Sequence, residues 1–169
     1  MHYCIDIQKY KLNNTATAVR STATIEDFQI LQEIGRGATS IVYKVKHSKT
    51  SNIYALKLIN TSHCKHKATL WKEVCLLKAI EHPHSVQYYY SFIHQQHLAI
   101  LMEYAPNGDL SKLIKERIQK KLYLFESEVW KLVYEMFLGI LHLHSLSIIH
   151  RDIKPLTCLL YTSPSPRDS

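Results

Sequence analysis

The sequence predicts an α+β protein with its strands gathered early in the chain and its helices behind them, and three observations carry that assignment. Alternating apolar runs fill residues 28–59 and 86–103, with a single helix-period stretch between them. The breaker Pro106-Asn107-Gly108-Asp109 then interrupts the chain. Beyond it, from Leu110 to His144, apolar residues recur at helical spacing only. Strands first and helices afterwards, in separate blocks, imply two lobes.

The elements follow in order. Residues 1 to 25 are polar and repetitive, with Asn13-Asn14-Thr15-Ala16-Thr17-Ala18 and Ser21-Thr22-Ala23-Thr24, and read as a flexible extension. Phe28 to Ile34 alternates, with Phe28, Ile30 and Ile34 assigned to one face, and runs into Gly35-Arg36-Gly37. Ile41 to Val45 alternates again, so the pair reads as a hairpin. A third strand, Ile53 to Ile59, follows the polar turn 48–52. Leu70, Val74, Leu77 and Ile80 recur at steps of three and four and predict a helix from Lys67 to Glu81, closed by His82-Pro83. Strands at Val86–Phe92 and Leu98–Glu103 complete the first lobe, residues 26–102. Helices Leu110–Lys120 and Glu126–His144 form the second, residues 103–157.

Composition narrows the class. Hydrophobic residues make up 46% and charged residues 21%, which excludes a wholly disordered chain. No apolar run approaches the ~20 residues of a membrane-spanning helix, so no membrane partner is expected. A net charge of +7 suits an anionic partner. The lysines are spread along the chain without interleaved aromatics, which argues against nucleic acid. The four cysteines are scattered, and His63-Cys64-Lys65-His66 has no matching second pair, so no zinc site is expected. With no secretory signal at Met1–Asp6, the expected location is cytoplasmic or otherwise intracellular.

Four features carry chemistry. Gly35-x-Gly37 is either a tight hairpin or a loop bare enough for its backbone N–H groups to approach phosphates. Lys57 shares a strand face with Ile53, Ala55 and Ile59, where an ammonium must snorkel out or find an anion. Glu73, on or beside the apolar stripe of the following helix, is either a solvated flank or the carboxylate that holds Lys57 toward a phosphate. His150-Arg151-Asp152-Ile153-Lys154-Pro155 follows the long helix and suits no scaffold role, but does suit a loop that presents an aspartate and a lysine to a hydroxyl and a phosphate.

On these residues the chain resembles the eukaryotic protein kinases over residues 27–156. The resemblance implies ATP and magnesium as cofactors and proteins as substrates. It places Ile34, Gly35 and Gly37 in the loop over the ATP phosphates, with Ser40 where a third glycine is usual. Val42 and Ala55 would sandwich the adenine, Lys57 held by Glu73 would contact the α/β-phosphates, and Met102 would be the gatekeeper. The backbone of Glu103 and Ala105 would bond the adenine edge, with Asp109 toward the ribose. Asp152 is the implied base and Lys154 its serine/threonine-type companion, while Leu77, Tyr88 and His150 would stack as an internal spine. Trp130-Lys131, Leu141-His142-Leu143-His144 and Ile153-Lys154-Pro155-Leu156 look most like NIMA-related kinases.

The resemblance also implies asparagine at position 157, then Asp-Phe-Gly and an activation segment. The sequence has Thr157 and none of the rest, so the magnesium ligands are largely missing and no metal-ligating residue is assigned. The tail 158–169 resembles a translated sequencing adapter and is set aside as non-native. The expected function is an ATP-dependent serine/threonine kinase of which this chain is an inactive fragment; the alternative is a nucleotide-binding pseudokinase or scaffold. Seven apolar residues on the long helix are worth about 1.5–3 kcal/mol each when buried, so leaving half wet forfeits roughly 5–10 kcal/mol. The second half is therefore expected to aggregate or to be only partly ordered.

Overall fold

The computed structural model describes residues 4–5, 24–62 and 67–160, without the side chains of 4–5, 67–70, 72 and 73. In chain order the elements are β1 (Cys4–Ile5), β2 (Phe28–Arg36), β3 (Ser40–His47), β4 (Ile53–Asn60), α1 (Lys67–Ala79), β5 (Tyr88–His94), β6 (His97–Glu103), α2 (Leu110–Gln119), α3 (Glu126–Ser145) and β7 (Ile148–Ile149). Short 3-10 turns occupy Ile25–Asp27 and Pro155–Thr157. These divide into two compact units, one holding 24–81 and 87–104, the other 82–86, 105–160 and β1. The architecture is α+β, as the segregation of periodicities predicts.

The first unit is a five-stranded antiparallel sheet in the order β2-β3-β4-β6-β5. Directly opposed residues in an antiparallel pair share a face. One face carries Phe28, Val45, Leu56, Ala99 and Leu101, all buried, with Ile25 of the preceding turn packed against them. On the other face Ile59, Leu98 and Ile100 pack beneath Val74 of α1, with Leu77, Tyr88 and Met102 around them. Each such aliphatic side chain contributes about 1.5–3 kcal/mol on full burial, so both faces of the sheet are stabilised.

Three expectations are corrected here. β2 does not alternate cleanly: Phe28 is buried, but Ile30 and Ile34 are exposed. Register shifts between Ile30 and Gln32 and between Glu33 and Gly35 bulge the strand and re-aim its side chains. α1 stops at Ala79, earlier than the proline rule implies. The 1–25 extension is not wholly irregular, because Cys4–Ile5 forms a strand paired antiparallel to β7 and the 3-10 turn begins at Ile25; the rest of that extension lies outside the described residues.

The second unit is built on α2 and α3. Asp109 caps α2, its Oδ1 accepting the Lys112 N–H at 2.8 Å. Glu128 accepts the Phe125 N–H at 2.8 Å at the start of α3, and its other oxygen pairs with Arg117 of α2 at 3.2 Å. The segment 82–86 belongs to this unit because it lies directly on α3. His82 stacks on His142 with ring centroids 4.8 Å apart, and Gly139 lets the His84 carbonyl approach. Cys158, Leu159 and Leu160 pair with Gly108, Asp109 and Leu110 through backbone bonds of 2.8 and 2.9 Å and a bridge. The broad apolar stripe of α3 is only partly covered: Val129, Val133, Phe137 and Leu141 are exposed, while Leu143 is buried.

Candidate functional site

Two groups of side chains are assembled, one in each unit. In the first, the β2–β3 hairpin is closed by the Gly37 N–H donating to the Ser40 carbonyl at 2.7 Å. Neither Gly35 nor Gly37 has a positive φ, so conformational freedom is not what the hairpin takes from them. A Cβ on Gly37 would meet the Ser40 hydroxyl at 3.2 Å, a rotatable group that can yield to it. Arg36 forks onto Glu33 through two bonds of 2.8 and 2.5 Å at the end of β2. Ile34 lies within the bulge and is exposed.

The register brings the expected nucleotide residues onto one face. Gly35 opposes Val42, Val42 opposes Lys57, Lys57 opposes Ile100, and Ala55 opposes both Lys44 and Met102. Lys57 is therefore a half-buried cation set among Ala55, Ile59 and Ile100, all nearly solvent-free. α1 packs on this same face through Val74, the residue after Glu73. The Glu73 side chain itself lies outside the described residues. A cavity of about 310 Å³ lined by His47, Thr50, Tyr54, Tyr89, Tyr90 and Leu101 opens on the opposite face, so it is unrelated to Lys57.

Where the sheet unit ends, Glu103 is tied to Gln87 in both directions: its N–H donates to the Gln87 carbonyl at 2.9 Å, and its Oε2 accepts the Gln87 N–H at 3.1 Å. Tyr104, which sequence reasoning passed over, carries the Lys44 ammonium 4.7 Å above its ring. The signal for it was an aromatic residue just beyond a strand. In the second unit Ala105 is buried and Asp109 is the α2 cap, a structural task the resemblance did not imply.

The second group is the loop that leaves β7. Arg151 adopts φ +61, a left-handed conformation that residues other than glycine seldom take. That turn lets the Asp152 N–H donate to His150 Nδ1 at 3.3 Å, which requires this nitrogen to be unprotonated. Burial pushes the His150 imidazole below its ordinary pKa, consistent with a neutral ring. Asp152 Oδ1 lies 2.8 Å from the Lys154 ammonium. That hydrogen bond, before any other cause, holds the Asp152 carboxyl below the usual carboxylate range, so it is ionised at neutral pH.

Thr157 closes the loop. Its hydroxyl lies 2.9 Å from the carbonyls of both Asp152 and Lys154 and accepts the Lys154 N–H at 3.1 Å. One proton can serve only one carbonyl at a time, so the hydroxyl is fully engaged with backbone. Among the described residues no group of three or more His, Cys, Asp or Glu side chains could hold a metal ion; His63–His66 lie outside them.

Comparison with known proteins follows the same residues. The protein kinase domain family matches residues 28–165. The chain is 35% identical over 135 residues to the serine/threonine-protein kinase hippo of Drosophila melanogaster, covering 80% of this chain and 19% of that protein. It is 34% identical over 151 residues to mitogen-activated protein kinase kinase 7 of Arabidopsis thaliana, covering 88% of this chain and 47% of that one. Rho-associated protein kinase 1 of Oryctolagus cuniculus is 34% identical over 140 residues, 80% of this chain and 10% of the relative. The chain thus spans less than half the length of each.

Proposed function

This chain belongs to the protein kinase family, and from that premise we propose that it carries the nucleotide-docking and base-bearing part of an enzyme that moves the γ-phosphoryl group of ATP to serine or threonine hydroxyls of proteins. The observation that carries the reading is the Asp152–Lys154 pair, an ionised carboxylate and an ammonium 2.8 Å apart on one strained loop. Lys57, set in an apolar face beside Val42, Ala55 and Met102, supports the nucleotide half.

In the transfer, the hydroxyl oxygen of the substrate forms a bond to the γ-phosphorus while the bond to the β,γ-bridging oxygen breaks and ADP leaves. Asp152 orients the hydroxyl and takes its proton. Lys154 offsets charge on the moving phosphoryl group, and Lys57 holds the α/β-phosphates. Magnesium accompanies ATP throughout the family; the described residues hold no group of three or more His, Cys, Asp or Glu side chains that could bind it, and the Thr157 hydroxyl is spent on the backbone. No step is assigned to the metal. ATP and protein substrates are the proposed partners and the intracellular compartment the proposed location; no helix among the described residues is long and apolar enough to cross a membrane. Placement among the NIMA-related kinases rests on Trp130-Lys131, Leu141–His144 and Ile153–Leu156 alone.

In the longest natural form of the protein, Asp152→Asn should lower transfer of labelled phosphate to serine or threonine by about 10²–10⁴-fold, and undiminished transfer would overturn the assignment. Thr157 favours a second reading, a nucleotide-binding scaffold without chemistry. Reading the transcript past the Pro155 codon separates the two. Asparagine at 157 with Asp-Phe-Gly downstream supports the enzyme and marks 158–169 as foreign; threonine followed by the present tail supports the scaffold.

A further inference from the structure

The cavity on the sheet face away from Lys57 is walled mainly by aromatic rings. His47, Tyr54, Tyr89 and Tyr90 line it with Thr50, over the buried Leu101. An irregularity in β5 supplies two of these rings. Tyr88 opposes Met102 while Tyr90 opposes Leu101, so Tyr89 is an extra residue and the strand bulges there. In a regular strand Tyr88 and Tyr90 would share a face. Here Tyr88 packs with Met102 on the α1 side, whereas Tyr90 packs with Leu101 on the other. Tyr89, 46% exposed, meets Tyr54 of β4 at a ring separation of 5.2 Å and an angle of 81°. Tyr54 is positioned from two further sides: the Asn52 amide donates to its hydroxyl at 3.4 Å, and Phe28 meets its ring edge-on at 88°.

Two rings at right angles form a corner that can present π faces to one cation, and each such face attracts positive charge. The charges around the cavity agree with that use. No lysine or arginine lines it. Glu103 opposes Tyr54 in the register and so lies on the same face. Burial, then the neighbouring Tyr54 and Asp27, raise the Tyr90 phenol above its ordinary pKa, so the ring stays uncharged. We propose that this cavity is an aromatic cage for a methylated ammonium group carried on a lysine side chain of a partner protein. Methylation matters because a bare ammonium is compact and strongly hydrated, and gives up more hydration on entry. A lysine stem is favoured over a phosphocholine headgroup because the lining has no lysine or arginine to meet the phosphate. A volume of about 310 Å³ is at the small end for ligand pockets and suits one side chain. The site stands apart from the transfer reaction and does not depend on it.

Titration of the 169-residue chain with Nα-acetyl-Nε-trimethyllysine amide tests the cage, read by saturation transfer to the methyl protons in nuclear magnetic resonance. Saturable binding on the order of 10 mM is expected. The unmethylated amide, and the uncharged isostere with carbon in place of the side-chain nitrogen, should each bind about fivefold more weakly or worse. Tyr89→Leu, at a half-exposed position that can lose its ring without opening the core, should weaken binding by a similar factor. Tyr89→Phe keeps the π face and should bind within about twofold of the unsubstituted chain. Vesicles of phosphatidylcholine should not displace the probe. Absence of saturable binding, equal binding of the uncharged isostere, undiminished binding to Tyr89→Leu, loss of binding in Tyr89→Phe, or displacement by the vesicles would each overturn the proposal. None of these readouts involves nucleotide or transfer, so a failed cage and a failed kinase assignment give different results.

Discussion

At the scale of single residues, His150 and Asp152 make the same demand on pH, each stabilising the fold less as the solution turns acid. Asp152, held below its ordinary value by Lys154, keeps its bridge above the carboxylate range and loses it as pH falls through its lowered value. His150, depressed by burial, stays neutral while the unfolded chain takes up a proton below about pH 6.5. The unfolded state then binds more protons, so stability rises with pH across that window and falls on acidification. The melting midpoint should therefore drop between pH 7 and pH 5.5, and His150→Tyr should flatten the drop relative to the unsubstituted chain. An identical pH slope in both would show that His150 is not titrating against burial. The motif around these residues was legible because four chargeable side chains in six positions have no packing explanation. The left-handed Arg151 and the stitching hydroxyl of Thr157 were not, since backbone conformation and hydrogen-bond direction leave no mark on residue type.

Among the elements, α3 shows how a single atom decides an interface. A Cβ on Gly139 would stand 3.0 Å from the His84 carbonyl oxygen, a backbone atom that can yield only if the segment 82–86 moves. Gly139→Ala gains about 1 kcal/mol of helix propensity but incurs about 1–3 kcal/mol of overpacking. Net destabilisation of about 1 kcal/mol is expected in denaturant titration. Gly37→Ala meets only a rotatable serine hydroxyl and should be nearly silent. Equal effects at the two sites would contradict the packing described for 82–86. The five sheet strands and three helices were readable from period, because alternation and 3.6-spacing are local. The bulges of β2 were not, nor was β1, whose partner lies more than 140 residues away. Gly139 was readable in principle as a lone glycine inside an apolar helix.

For the whole molecule, the sheet unit is covered on both faces, whereas α3 presents Trp130, Val133, Tyr134, Phe137 and Leu141 to solvent along one stripe. A patch of several hundred Å² of aromatic and aliphatic surface drives association. The chain should self-associate at micromolar concentration in light scattering, and the Trp130→Glu, Phe137→Glu double variant should reduce it. Monomeric behaviour with a sharp, reversible two-state melt would contradict this. The same stripe was legible as apolar but not as exposed, because periodicity reports which side chains belong together and not what covers them.

The central claim is that a triphosphate docks on the sheet face carrying Lys57. Titrating a fluorescent ATP analogue into the longest natural form tests it most directly, with Lys57→Met and Asp152→Asn alongside. The account predicts saturable binding that Lys57→Met weakens at least tenfold and Asp152→Asn leaves nearly unchanged. Binding that survives Lys57→Met undiminished would contradict it.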